Sequence, residues 1–168
     1  YVTSTFATFE ADNITSFDID TGADGTSLII TSYNIHETIG DMTFTTAEDF
    51  DVSLGFDVNS TVGNITIVAS DSFNIGDDQD FIDEAGSIGN VTITASGSGT
   101  GVNLGTSNDA TTIGNITITA NDDVEMDGAA SATTVGNFDI TVAAGKTVDL
   151  NDTAFGAANS TVGSITSD

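Results

Sequence analysis

The chain has 168 residues, with 26 Asp or Glu against a single Lys and no Arg, and a formal charge of -25 at pH 7. That balance excludes nucleic-acid binding, which needs Lys and Arg to neutralise phosphates, and it disfavours anionic lipid surfaces while favouring divalent cations. No apolar run approaches the roughly 20 residues of a membrane helix, and the absence of Cys excludes disulfides, thiolate metal sites and a thiol nucleophile.

High net charge alone would point to disorder, but a hydrophobic content of 38%, periodically arranged, predicts one folded domain over 1–168. A composition of Thr, Asn, Gly and Asp with almost no Lys suits an extracellular, cell-surface location. No signal segment precedes Tyr1, so one is expected to be removed or to lie outside this stretch.

In chain order, the first recognisable element is Ile14-Thr15-Ser16-Phe17-Asp18-Ile19, an alternating strand. A clearer phrase follows at Thr38-Ile39-Gly40-Asp41-Met42-Thr43-Phe44. It returns as Thr61-Val62-Gly63-Asn64-Ile65-Thr66-Ile67, Ser87-Ile88-Gly89-Asn90-Val91-Thr92-Ile93 and Thr112-Ile113-Gly114-Asn115-Ile116-Thr117-Ile118. Looser copies sit at Thr134-Val135-Gly136-Asn137-Phe138-Asp139-Ile140 and Thr161-Val162-Gly163-Ser164-Ile165-Thr166. Measured from Thr15 and then from each repeat Gly, the spacings are 25, 23, 26, 25, 22 and 27 residues. A period in this range marks units that bury their apolar faces only by stacking on neighbours.

Each repeat reads as three short strands. In the first, Ile65, Ile67 and Ala69 point one way and Thr66 and Val68 the other. The second carries the apolar pairs Leu28/Ile30, Phe50/Val52, Phe73/Ile75, Val102/Leu104, Val124/Met126 and Val148/Leu150. The third is expected in small-residue stretches such as Ala110-Thr111-Thr112 and Ala130-Ser131-Ala132-Thr133. Loops such as Ser96-Gly97-Ser98-Gly99-Thr100-Gly101 vary in length between them. Stacked in register about 4.8 Å apart, the repeats predict an all-β fold, a right-handed parallel β-helix of about seven rungs with roughly 25 residues each. Inward columns would be Phe17/Met42/Ile65/Val91/Ile116/Phe138/Ile165 and Ile19/Phe44/Ile67/Ile93/Ile118/Ile140. The Gly is expected to allow unusual dihedrals at a bend, and Asn64, Asn90, Asn115 and Asn137 to form a ladder. An antiparallel β-sandwich is the alternative architecture.

These phrases resemble the VGNITITA-type repeats of very large bacterial and archaeal surface-layer proteins and adhesin stalks. The resemblance implies an extracellular structural role.

Acid columns are the main chemical lead. Two residues before each second strand the column reads Thr26, Glu48, Asp71, Thr100, Asp122, Lys146. Neighbouring carboxylates at Glu48 and Asp71 repel, and a bound cation would remove that cost. Glu48, Asp49, Asp51 and Asp71 therefore form one candidate Ca²⁺ cluster, and Asp77, Asp78, Asp80, Asp83 and Glu84 another, all offering hard oxygen ligands. The competing reading is a solvated acidic rim. Lys146 falls above Asp122, where it would form the one side-chain ion pair on offer.

The outward face of the first strand is a second lead. Thr43, Thr45, Thr66, Thr92, Thr94, Thr117, Thr119 and Thr141 form two columns interrupted by Asp18, Asp20, Val68 and Asp139. Such arrays resemble the ice-binding faces of β-solenoid antifreeze proteins, although Thr is also simply a good strand residue.

An enzyme is not expected. Lyases acting on uronates need basic residues, substrate stacking needs exposed aromatics, and this chain has one Lys and no Trp. His36 falls in a corner column with Asn59, Ala85, Ala110, Ala132 and Asn159, without a partner nucleophile. A carbohydrate-active enzyme ranks third, after a structural protein and a ligand-binding solenoid. Asn59, Asn151 and Asn159 are candidate glycosylation sites in loops.

Lastly, the chain closes on the opening phrase of a rung and opens on the alternating Tyr1-Val2-Thr3-Ser4-Thr5-Phe6. The sequence offers no Pro or terminal Lys to blunt a strand edge. The expected partners are therefore further copies stacked head to tail or in a lattice, or covalent continuation of a longer array. Surface carbohydrate stands as a further candidate partner.

Overall fold

The computed structural model describes residues 4–5, 9–22, 28–30, 33–52, 56–58, 61–75, 82–83, 86–97, 102–105, 112–127, 129–130, 134–149, 154–155, 161–162 and 165–167. Within them the chain is a parallel β-solenoid whose turns recur about every 25 residues: Ile65 lies beside Val91, which lies beside Ile116. Strand pairing is parallel throughout the described residues, from Phe9–Asp20 on Tyr33–Thr46 to Phe138–Val142 on Ile165–Ser167. That overturns the sandwich alternative, which needs antiparallel neighbours.

The strand Met42–Thr46, Ile65–Ala69, Val91–Ala95, Ile116–Ala120, Phe138–Val142 stacks without a register shift. Alternation works as the sequence reads: Ile65, Ile67 and Ala69 are buried while Val68 is exposed. The second strands form a separate seven-stranded sheet running from Ser4–Thr5 through Leu28–Ile30, Phe50–Val52, Phe73–Ile75, Val102–Gly105 and Val124–Asp127 to Val148–Asp149. Phe44 of the first sheet meets Phe50 of the second with ring centroids 5.0 Å apart, and Phe50 meets Phe73 at 5.3 Å. The core lies between these two sheets. Each large side chain buried there contributes roughly 1.5–3 kcal/mol.

Two expectations need correcting. The third strand lies at Phe56–Val58, Ile82–Asp83, Ala129–Ala130 and Ala154–Phe155. Thr112 belongs instead to a separate two-residue strand that precedes each Gly, as at Thr61–Val62, Thr112–Ile113 and Thr134–Val135. Its second residue turns inward, so Ile39, Val62, Ile88, Ile113 and Val135 form a further buried column. Ala130, from one of the expected small-residue stretches, does lie in a third strand, Ala129–Ala130, paired with Ala154–Phe155. Ala110, Thr111 and Ser131 to Thr133 lie outside the described residues.

The repeat glycines are the second correction. Positive φ occurs at Gly22 and Gly145, and not at Gly40, Gly63, Gly89, Gly114 or Gly136. Close approach selects glycine here instead. A Cβ on Gly89 would lie 2.7 Å from the Gly63 carbonyl oxygen, and one on Gly114 would lie 2.8 Å from both the Gly89 carbonyl and Asn90 Oδ1. Gly89 donates its N–H to the carbonyls of both Val62 (3.0 Å) and Gly63 (3.1 Å), which draws successive corners together.

Beside the glycines the Asn ladder forms with a direction. Asn90 and Asn115 each donate a backbone N–H to the Asn Oδ1 one rung earlier, at 3.0 and 2.9 Å, and Asn137 does the same to Asn115 at 2.9 Å. The side-chain amide of Asn90 also donates to Asn64 Oδ1 at 3.3 Å. At the start of the ladder an acid can serve as the acceptor: Asp41 Oδ1 takes both the backbone and side-chain N–H of Asn64 (2.8 and 3.1 Å).

Candidate functional site: the threonine face and the acidic turns

Ile65–Ala69 and its in-register neighbours present the predicted threonine columns outward. Thr43, Thr66, Thr92 and Thr117 stack in one column, followed by Asp139. Thr45, Val68, Thr94, Thr119 and Thr141 stack in the other. Thr92, Thr117, Thr119 and Thr141 are exposed, whereas Thr43, Thr45, Thr66 and Thr94 are half-buried. Val68 is 37% exposed and is the one large apolar side chain standing out among the described residues. Across these five successive strands the face carries a single charge, Asp139, although the chain has 26 acids. Asp18 and Asp20 flank the face at its earlier edge, and Asp20 Oδ1 accepts the Gly22 N–H at 2.7 Å.

Acids concentrate where the first strand turns into the second. Glu48 and Asp71 are consecutive in the stack, and the Asp71 N–H donates to the Glu48 carbonyl at 3.2 Å. Asp49, placed by the sequence in a calcium cluster, accepts from one rung up: Ser72 donates its hydroxyl at 2.6 Å and its N–H at 3.2 Å to Asp49 Oδ1. The same geometry recurs at Asp123, whose Oδ1 accepts the Thr147 N–H and hydroxyl at 2.7 and 2.9 Å. Asp71 packs against the Gly97 backbone, where a Cβ would come within 1.8 Å of its Oδ1. Asp51 lies in the strand Phe50–Val52 and Asp83 in Ile82–Asp83, with their side chains outside the described residues. Asp77, Asp78, Asp80 and Glu84 lie outside them altogether, as do the glycosylation candidates Asn59, Asn151 and Asn159. Among the described residues no three acidic or His side chains converge as a metal ion would need.

Lys146 donates from Nζ to Asp122 Oδ1, as its register position requires. Asp122 is the one buried charge among the described residues. The Lys146 hydrogen bond, with a further one from the Asp123 N–H, holds the Asp122 carboxyl below the ordinary carboxylate range, and Asp122 in turn raises the Lys146 ammonium. Gly145, at a φ of 85°, lets the longer turn reach this position. His36 falls where the ladder between Phe9–Asp20 and Tyr33–Thr46 shifts register, a bulged corner, and its side chain lies outside the described residues.

The paired Asp–Ser/Thr steps escape a sequence reading because Asp49/Ser72 and Asp123/Thr147 begin three rungs apart and use different hydroxyl residues. Aligning each second strand by its first apolar residue would expose them.

Comparison with family models, with curated proteins and with solved structures finds no match. The class the fold defines is therefore a parallel β-solenoid with repeat-encoded stacking, and the resemblance to surface-layer and adhesin repeats rests on the repeat phrases alone.

Proposed function

We propose that this chain is a structural extracellular module, a right-handed solenoid of about seven rungs serving as a building block of a surface layer, filament or adhesin stalk. The observation that supports it is where the polar chemistry goes. The Asn ladder, the Asp49–Ser72 and Asp123–Thr147 steps and the Asp122–Lys146 pair all run along the stack, joining rung to rung. Residues of that kind stiffen an axis rather than converge on a substrate, so the reading is not an enzyme.

Partners in this reading are further copies of the same repeat, end to end or in a lattice. Calcium enters as a stabiliser of the acidic turns, supported by the succession of Glu48 and Asp71 in a chain of charge -25. Charge repulsion opposes assembly, so salt or Ca²⁺ should strengthen it. Electron microscopy and fibre diffraction in high salt and calcium test the proposal. Rods or a lattice with a repeat near 4.8 Å along the axis are expected; discrete monomers at high concentration would refute it.

A second reading, binding to ice, is favoured by the in-register exposed threonines. It expects thermal hysteresis that disappears in Thr92→Tyr/Thr117→Tyr, and ordinary disc-shaped ice at high protein concentration would retire it.

A further inference from the structure

Proteases that cut after basic residues have one bond to attack in this chain, because Lys146 is its single Lys and Arg is absent. That bond, Lys146–Thr147, lies at a surface turn, and the Lys146 side chain is 36% exposed. Exposed turns are where proteolytic nicking concentrates. We infer that Lys146–Thr147 is a masked cleavage site: the rung before it occupies the groups such a protease must hold, so the bond can be cut only when this turn detaches.

The masking contacts converge on the scissile bond. A protease of this specificity seats the Lys ammonium on a carboxylate in its pocket, and here Asp122 already takes Lys146 Nζ. The amine that would leave is the Thr147 N–H, which donates to Asp123 Oδ1 at 2.7 Å, with the Thr147 hydroxyl on the same oxygen at 2.9 Å. The Thr147 carbonyl accepts the Val124 N–H at 3.0 Å, and the Lys146 N–H donates to the Ala143 carbonyl at 3.0 Å.

Backbone shape adds a second barrier. A substrate enters a protease cleft extended, whereas Gly145, immediately before the Lys, has a φ of 85° and turns the chain. The segment 143–147 is held at both ends, by Val142 paired with Ala120 and Val148 paired with Val124. Straightening so short a stretch breaks ladder pairing on one side or the other. Cleavage in the folded state therefore tracks the population in which this turn has opened. Losing the two bonds from Thr147 to Asp123 should raise that population roughly tenfold or more.

Limited digestion of the whole folded chain with trypsin, followed by intact mass, tests the masking. The parent should be cut roughly a hundredfold or more slowly than a synthetic peptide of residues 141–152, which presents the same bond unmasked. Asp123→Ala should speed cleavage roughly tenfold or more, and Asp123→Asn, which keeps the acceptor oxygen, far less. Chymotryptic cleavage after Phe73, which is 1% exposed, reports opening of the core and should stay near the parent rate in both variants. Hydrogen exchange in the parent needs no variant: the Thr147 amide should be protected, as its bond to Asp123 requires. A parent cut as fast as the peptide, or an unprotected Thr147 amide, would overturn the masking. So would variants with the parent's circular dichroism that leave the tryptic rate unchanged, or that raise tryptic and chymotryptic rates together, because protection would then belong to the whole fold and not to this turn. End-to-end assembly, scored by microscopy, is untouched by any of these outcomes.

Discussion

Lys146 sits one rung above Asp122 and donates to its buried carboxylate, pairing the sole cation of the chain with the one buried charge among the described residues. The Lys146 side chain is 36% exposed and that of Asp122 only 7%, so the pair matters for what it prevents more than for its own attraction. Lys146→Met should lower the melting temperature at neutral pH by leaving Asp122 buried without its partner, and adding Asp122→Asn should recover part of the loss. The sign of the pH dependence follows from both shifts. Asp122 is depressed, so its contribution is present above the ordinary carboxylate range and lost as pH falls through the folded value. Lys146 is raised, so its contribution is present below the ordinary lysine range and lost as pH rises through the folded value. The gap between parent and Lys146→Met should be flat from roughly pH 5 to 9 and close beyond both ends. A gap independent of pH would reject the pair as its source.

Positions 114 and 145 favour glycine for different physical reasons, and substitution tells them apart. At Gly145 the φ is positive and space is open, so Ala should cost about 1 kcal/mol and Asn, which tolerates that region, less. At Gly114 the dihedrals are ordinary but a Cβ would press on the Gly89 backbone, which a stacked corner cannot move aside. Ala and Asn should both cost about 1–3 kcal/mol there. Chemical denaturation of the four variants measures this, and a mild Gly114→Asn would contradict the steric account.

The ladder makes a related prediction at Asn90, which accepts the Asn115 N–H at 2.9 Å and donates its amide to Asn64 at 3.3 Å. Asn90→Ala removes both bonds, at about 1 kcal/mol each. Asn90→Asp keeps the acceptor, as Asp41 does at the start of the ladder, and should cost about half as much. Ile116→Asp, which puts a carboxylate at a buried position, should be far worse than either. Denaturant midpoints falling in another order would argue against the ladder's direction.

Much of this was readable from residue order because stacking makes every column a test of one side-chain type. Phe17/Met42/Ile65 and Ile19/Phe44/Ile67 could be lined up by eye, and the pairings follow those columns. Lys146 over Asp122 followed from the same count. What escaped was geometry that periodicity does not encode. Sequence cannot distinguish a glycine needed for its dihedral from one needed for its missing Cβ, and Gly89 and Gly145 look alike until the neighbouring rung is in place. Nor does an acid announce its partner: Asp49 belongs with Ser72 because a hydroxyl one rung up reaches it, whereas charge counting groups it with Glu48 and Asp71.

Glu48 and Asp71 provide the last prediction, one that decides between a solvated rim and a calcium-stabilised turn. The two follow each other up the stack, joined by the Asp71 N–H and the Glu48 carbonyl. At about 4.8 Å, two unit charges repel by about 1 kcal/mol in bulk water and about 3 kcal/mol at an effective dielectric near 20. In chelator at low salt, Glu48→Gln should therefore raise the melting temperature, and added NaCl should shrink that gain as repulsion is screened. Millimolar Ca²⁺ separates the readings. If the ion bridges these carboxylates, it should stabilise the parent chain by mass action on the folded state, and Glu48→Gln should lose most of that increment. Mg²⁺, which demands a stricter shell, should do less at equal concentration. If the turns are a solvated rim, Ca²⁺ should act only as a screening salt, with equal increments for parent and variant at matched ionic strength, and calcium would then drop out of the account of this surface.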